Sequence, residues 1–252
     1  MPPQPPPTIL RELAERGCLP DHQAMDRPTL TWIAEHRPAE TARPALGTEA
    51  VPDRPVLLVP EEGWFTTRQA ANGIHGVRHN ARVCLLAGLL AQHHHLEPEQ
   101  TTALCLAAAV HDCRRDNDRA DLGHGQRAAA WLARRHPTVT TAFSLDLTSE
   151  QVTAACTAIS LHDVAYPGFS SAQQHAYQRA RVLTDLLKAA DCLDRYRLPL
   201  TRWWPDVSRL RIPVPAWLHR VAFDLMLRSE QAHLDGTSHH DALIHAIQTI
   251  LT

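Results

Sequence analysis

Lysine is nearly absent from this 252-residue chain: Lys188 is the only one among 25 basic residues, and arginine supplies the rest. Aromatic residues make up only 5%, and neither sign of charge dominates, the formal net charge being -2. Without a positive excess there is no overall field to recruit nucleic acid, so no strong nucleic-acid partner is expected and any anion site has to be local. An all-arginine complement suits bidentate phosphate recognition, although genome composition explains it equally well. No apolar run approaches the about 18 residues of a membrane span. Met1 to Pro7 lacks the basic and apolar blocks of a signal peptide, so the expectation is no membrane association and a cytoplasmic location. The six cysteines form no CxxC pair and read as reduced core thiols. Glycine-rich phosphate loops, GxSxG elbows and zinc-finger spacings are missing too.

What the chain does have is a 44% hydrophobic content, enough for one sizeable core. Twelve of its 19 prolines fall in the first 60 residues, which marks 1–65 as an irregular, proline-rich appendage. Within it, Ile9 to Arg16 and Thr29 to Arg37 can form short helices, and Val56 to Val59 a brief strand or buried extended segment. From Thr66 onward the periodicity is helical, with elements expected near 66–95, 99–112, 124–136, 149–163, 172–196, 215–234 and 239–251. The fold class is therefore all-α, a compact helical domain over 66–252. Glu97-Pro98 and Pro137 punctuate the pattern, and Thr148 to Gln151 fits a capping box.

Four polar residues sit in apolar helical stretches where an uncompensated polar side chain would be costly: His79, His111, Asp112 and Asp191. One shared metal ion accounts for all of them. His111-Asp112 ends the run Ala103 to Val110, apolar all round and hence a buried helix delivering two ligands from its last turn. The rival doublet His240-Asp241 follows a polar loop and reads as solvent-exposed helix initiation. His75 and His79 share the inward stripe of one helix, His162 ends a stripe with Val152, Cys156 and Ile159, and Asp191 lies on a stripe with Leu183, Leu187 and Asp194. His124 and His162 are candidates for holding a second ion. His93 to His95 read as a polar helix end, and Trp203, Trp204 and Trp217 as packing residues.

Histidine on one helix, a His-Asp doublet on another and a distant aspartate is the pattern of the HD-domain superfamily, which this chain resembles through His79, His111-Asp112 and Asp191. The segment Ile74 to Val83 is similar to the His-x-x-Arg-Val segment of many members. The stretch His111 to Asp118, followed by His124 to Ala129, resembles an uncharacterised bacterial branch of HD hydrolases. Over about 66–198 the resemblance implies an HD-type helical bundle with one or two divalent transition ions (Mn, Fe, Co, Ni or Zn) inside it. In binuclear members two further histidines, here His124 and His162, complete the set, with the doublet aspartate bridging both ions.

The expected activity is hydrolysis of a phosphate ester or anhydride, the partner being a small phosphorylated molecule such as a nucleotide. In that reading Asp112 orients water, Asp116 or Asp118 assists proton transfer, and Arg115 acts on the phosphate. His75, Arg78, Arg127, Lys188 and Arg195 are candidates for substrate binding, with Arg82 and Arg114 also near the ligands in sequence. Two alternatives stay open: a binuclear-iron oxygenase cleaving a C–H or C–C bond, and a noncatalytic sensor of metal or nucleotide.

Overall fold

The computed structural model describes residues 9–42 and 56–250, and among these the regular structure is helical throughout. Three short helices come first: α1 (Leu10–Glu15), α2 (Arg27–Glu35) and α3 (Ala39–Ala42). They are followed by α4 (Arg68–Asn72), α5 (Val77–His93), α6 (Pro98–Val110), α7 (His124–Ala142) and α8 (Ser149–His162). The chain ends with α9 (Ser171–Arg179), α10 (Arg181–Leu193), α11 (Ala216–Leu234) and α12 (His239–Ile250).

The centre of the fold is α6, whose residues Ala103 to Val110 are all buried, as an all-round apolar helix must be. It packs against α5, α8 and α10, and α10 also touches both α5 and α8; α7 lies on α8, and the α11–α12 pair closes the far side of α5. Pro98 opens α6 at its first turn, and Thr148 with Gln151 forms the expected capping box on α8. Part of the region read as an appendage lies against this core. Met25, Leu30 and Ile33 are buried in it, and α2 and α3 contact α11. The proline-rich stretches 1–8 and 43–55 lie outside the described residues. Val56 to Val59 is no strand; it runs without regular structure and buries Leu58.

Three expected boundaries are corrected. The helix expected over 66–95 is broken into α4 and α5 at Gly73 to Gly76, where the chain folds so tightly that a Cβ on Gly76 would lie 2.0 Å from the Ala71 carbonyl oxygen. The helix expected over 172–196 divides at Ala180 into α9 and α10, and Asp194–Arg197 tightens into a 3-10 turn. Pro137 does not end α7, which runs five residues beyond it to Ala142. A proline deprives the carbonyl four residues earlier of its donor. Here the His136 ring supplies the replacement, its Nδ1 lying 3.1 Å from the Ala133 oxygen on the exposed side of the helix.

Candidate metal centre

The helix ends of this core meet at one place. His111 and Asp112 follow the last turn of α6, His162 is the last residue of α8, Asp191 lies in the last turn of α10, and His124 is the first residue of α7. His79, in the first turn of α5, completes the ring. Three of these termini are C-terminal ends, which carry partial negative charge and favour a cation. Gly123 turns the chain into α7 with φ +79, a conformation in which a side chain would be strained.

All six expected ligands converge. Asp112 Oδ1 lies 3.0 Å from His124 Nε2, 3.4 Å from His162 Nε2 and 4.0 Å from His111 Nε2. Its other oxygen is 3.4 Å from His79 Nε2, and Asp191 Oδ1 is 3.4 Å from His79 Nε2 and 3.8 Å from His111 Nε2. Three overlapping groups have donor atoms within 4.8 Å of one another: His75-His79-Asp112, His79-His111-Asp191 and His111-Asp112-His162. Asp112, His79 and His111 each belong to two of them.

The hydrogen bonds outside the cluster show which ring nitrogens face in. The Nδ1 atoms of His111, His162 and His124 lie 2.8, 2.7 and 2.6 Å from the backbone oxygens of Ala108, Ile159 and Asp121, and His79 Nδ1 is 2.8 Å from Asp194 Oδ2. A carbonyl or carboxylate oxygen only accepts, so each Nδ1 carries the proton and each Nε2 turns a lone pair inward. The Nε2 atoms of His124 and His162 then face each other at 3.1 Å, lone pair against lone pair. His79 Nε2, His111 Nε2 and Asp112 Oδ1 are buried without a hydrogen-bond partner. Such an arrangement is unfavourable by itself and is relieved by a cation, so the residues present fit a metal ion.

Charge around the centre keeps the carboxylates ionised. Burial works against the charge on Asp112, but Arg115, joined by His111 and His124 when their rings are protonated, holds it well below the usual carboxylate range; Asp191 is held down likewise against its burial, by His111 and His79 in that same form and by Arg197. His75 is kept neutral by burial and by the nearby Arg115 and Arg197. Its Nδ1 lies 2.9 Å from both Asp112 Oδ2 and Arg197 Nη2, and in the neutral ring it either donates to the carboxylate or accepts from the guanidinium. Asp191 is the open side of the centre, its side chain 28% exposed where those of His79, His111 and Asp112 are almost fully buried.

A cleft of about 700 Å3 reaches the cluster at His162, with Asp163, Lys188, Tyr166, Arg209 and Arg211 among its lining residues. Lys188 donates to the backbone oxygens of His162 and Val164, and burial brings its ammonium down to about 8 despite Asp191, Asp163 and Asp185 nearby. Asp163 receives the Gly123 and Gly125 amides, tying the start of α7 to the end of α8.

Of the other expected site residues, Arg115 reaches the centre: its Nη1 is 3.6 Å from Asp112 Oδ2 and 3.3 Å from His124 Nε2. Four do not face it. Arg78 is buried in an ion pair with Glu230 and also contacts His239. Neighbours in a helix point about 100° apart, so following His79 in sequence does not aim Arg78 at the same target. Arg127 pairs with Asp121 and Asp116 across the loop that leads from Asp112, Arg195 donates to the Trp203 oxygen, and Asp116 is exposed. Asp118 is buried, but its carboxylate accepts from the Gln23 amide at 2.7 Å.

Two residues that sequence reasoning left without a role support the centre. Asp194 joins His79 to Arg82, and Arg82 in turn binds Glu230, the partner of Arg78. Arg197 hydrogen-bonds His75, the Ile74 oxygen and the Asp194 oxygen. Asp194 was signalled by its place on the Asp191 stripe, whereas Arg197 lies in a short turn with no periodicity to reveal it. Comparison with known proteins returns no matching family model, no matching curated protein and no matching solved structure.

Proposed function

We propose that this protein is a metal-dependent hydrolase of small phosphate esters or anhydrides, built on the HD pattern that its sequence resembles. The observation that carries the reading is the set of inward-facing Nε2 lone pairs around the unpartnered Asp112 Oδ1. When bound, a divalent transition ion supplies an acidic water and positive charge for the reacting phosphoryl group. The chain contributes the remaining steps. Asp112, kept ionised by Arg115, can accept a hydrogen bond from an attacking water and orient it. Arg115, fixed by its contacts with the Asn117 and Arg119 oxygens, places a guanidinium beside Asp112 where negative charge accumulates on a phosphate. Lys188, Arg209 and Arg211 line the cleft leading to His162, which suits an anionic substrate.

The test is metal analysis of protein purified without chelators, joined to a phosphate-release screen on wild type and Asp112→Ala. We expect a bound transition metal, turnover by wild type and no turnover by the variant; equal turnover by both would exclude the assignment. One observation keeps the oxygenase reading as the alternative: His124 and His162 also close on Asp112 Oδ1, giving a ligand set that would serve two irons. Iron near two per chain with substrate-dependent oxygen uptake would decide for it, and phosphate release with redox-inert metals would decide against it.

A further inference from the structure

A second hollow, of about 410 Å3, shares no residue with the metal centre. It is lined by Arg134 and Arg135 of α7, by Arg114 from the loop after α6, and by Trp64, Trp131 and Thr138, with no carboxylate among the lining residues. Elsewhere the arginines are mostly matched to acids: Arg11, Arg27, Arg37, Arg78, Arg82, Arg119, Arg127 and Arg197 all have a carboxylate partner. Arg134 and Arg135 are exposed and have no carboxylate within 4.0 Å among the described residues. Arg114 donates to the Trp64 oxygen at 3.0 Å and has no acid either. Three guanidinium groups around one hollow repel one another, and their fork of N–H donors matches the oxygens of a phosphate.

The aromatic wall is built as firmly as the basic one. Trp64 is buried and set edge-on to Phe143 with ring centroids 5.1 Å apart, and the half-buried Trp131 leans on it at 5.8 Å and 49°. An indole held in place beside paired guanidinium groups offers a stacking surface next to an anion site. The volume is that of a small-molecule site, which range from about 300 to 1,000 Å3. The net charge of -2 gives no long-range pull on a polyanion.

We propose that this hollow is a second ligand site, for a phosphorylated small molecule that carries an aromatic ring, of the nucleotide class. Arg134 and Arg135 hold its phosphates and Trp131 its ring. The ligand rests against Arg114, whose chain neighbour Arg115 touches Asp112 and His124.

The test is calorimetric titration of the full chain with ADP in the presence of a chelator, which removes any metal-dependent binding at the other centre. Inorganic pyrophosphate and a single-stranded oligonucleotide serve as comparison probes. Because Arg134 and Arg135 are exposed and have no carboxylate partner among the described residues, Arg134→Ala/Arg135→Ala leaves the fold intact. We expect saturable ADP binding that this double variant weakens about tenfold or more, the loss of one charge-assisted hydrogen bond, with Asp112→Ala binding as wild type does. Equal binding by wild type and the double variant, or no saturable ADP binding, would overturn the proposal. Pyrophosphate binding as tightly as ADP would overturn the nucleotide class, and an oligonucleotide binding where ADP does not would make the surface a nucleic-acid contact instead. Loss of hydrolysis in Asp112→Ala with ADP binding intact separates this site from the proposed activity.

Discussion

Asp194 and His79 are joined by a 2.8 Å hydrogen bond from which water is excluded, both side chains being fully buried, and Arg82 grips the two oxygens of the same carboxylate at 2.6 and 2.9 Å. The pair sets the tautomer of His79, and Arg82 sets the position of the pair. Asp194→Asn should therefore weaken metal binding by about 10- to 100-fold in a chelator competition, as loss of an outer carboxylate does. Asp194→Ala should in addition lower stability by about 3–5 kcal/mol in urea unfolding, because Arg82 is left as a buried cation short of one partner. Unchanged metal affinity in Asp194→Asn would remove the positioning role.

Asp118 is the carboxylate whose burial has the opposite consequence: it is pushed up to about 6, even though the Gln23 amide and Arg115 favour its charged form. A group whose folded value lies above its unfolded one binds protons more readily when folded, so it contributes stability at low pH and that contribution is lost as pH rises from about 4 to 6. Asp118→Asn should flatten this part of the profile. The difference in unfolding free energy between variant and wild type should grow in favour of the variant across that window, by an amount on the order of 2–3 kcal/mol. A difference that stays constant from pH 4 to pH 7 would contradict the sign.

Gly125 lies where α7 crosses the end of α8. A Cβ there would meet the Ile159 oxygen at 2.5 Å, Asp163 Oδ1 at 2.8 Å and His162 Nδ1 at 2.9 Å. Two of those atoms form the hydrogen bond that turns His162 toward Asp112. Gly125→Ala should push the helices apart, costing about 1–3 kcal/mol and disturbing the His124–His162 side of the centre before the His79–Asp191 side. Metal content and thermal unfolding of this variant check it; wild-type values for both would refute the account.

His124→Ala and His162→Ala separate one ion from two. If Asp112 bridges a pair of ions, each variant should lower metal stoichiometry by about one while the ligands His79, His111, Asp112 and Asp191 still hold the other. Unchanged stoichiometry, measured by elemental analysis, would establish a mononuclear centre.

Much of this centre was legible in the chain because burial makes polar residues conspicuous. His79, His111 and Asp191 each interrupt an apolar periodicity, and a residue that breaks such a pattern needs a partner. Helix identities followed from the same periodicity. What stayed hidden depends on geometry between distant segments. Arg78 and Glu230 lie 152 residues apart, and their pairing removes Arg78 from the centre it adjoins in sequence. The continuation of α7 through Pro137 rests on one histidine ring taking over for a missing amide, and the break before α5 rests on a backbone approach that only Gly76 permits. The arginine hollow gathers residues from three segments that share no motif.

The helix that leads into His111-Asp112 carries alanines at 103, 107, 108 and 109, all of them buried. Small side chains let the neighbouring helices come close, and closeness leaves no slack: adding a methylene to any of these alanines would tilt the helix and carry two donor atoms out of register together. Innovation in this scaffold is thereby channelled outward. Side chains on the rim of the cleft, such as the exposed Arg209 and Arg211, are not bound by that packing, while the alanine-lined axis is.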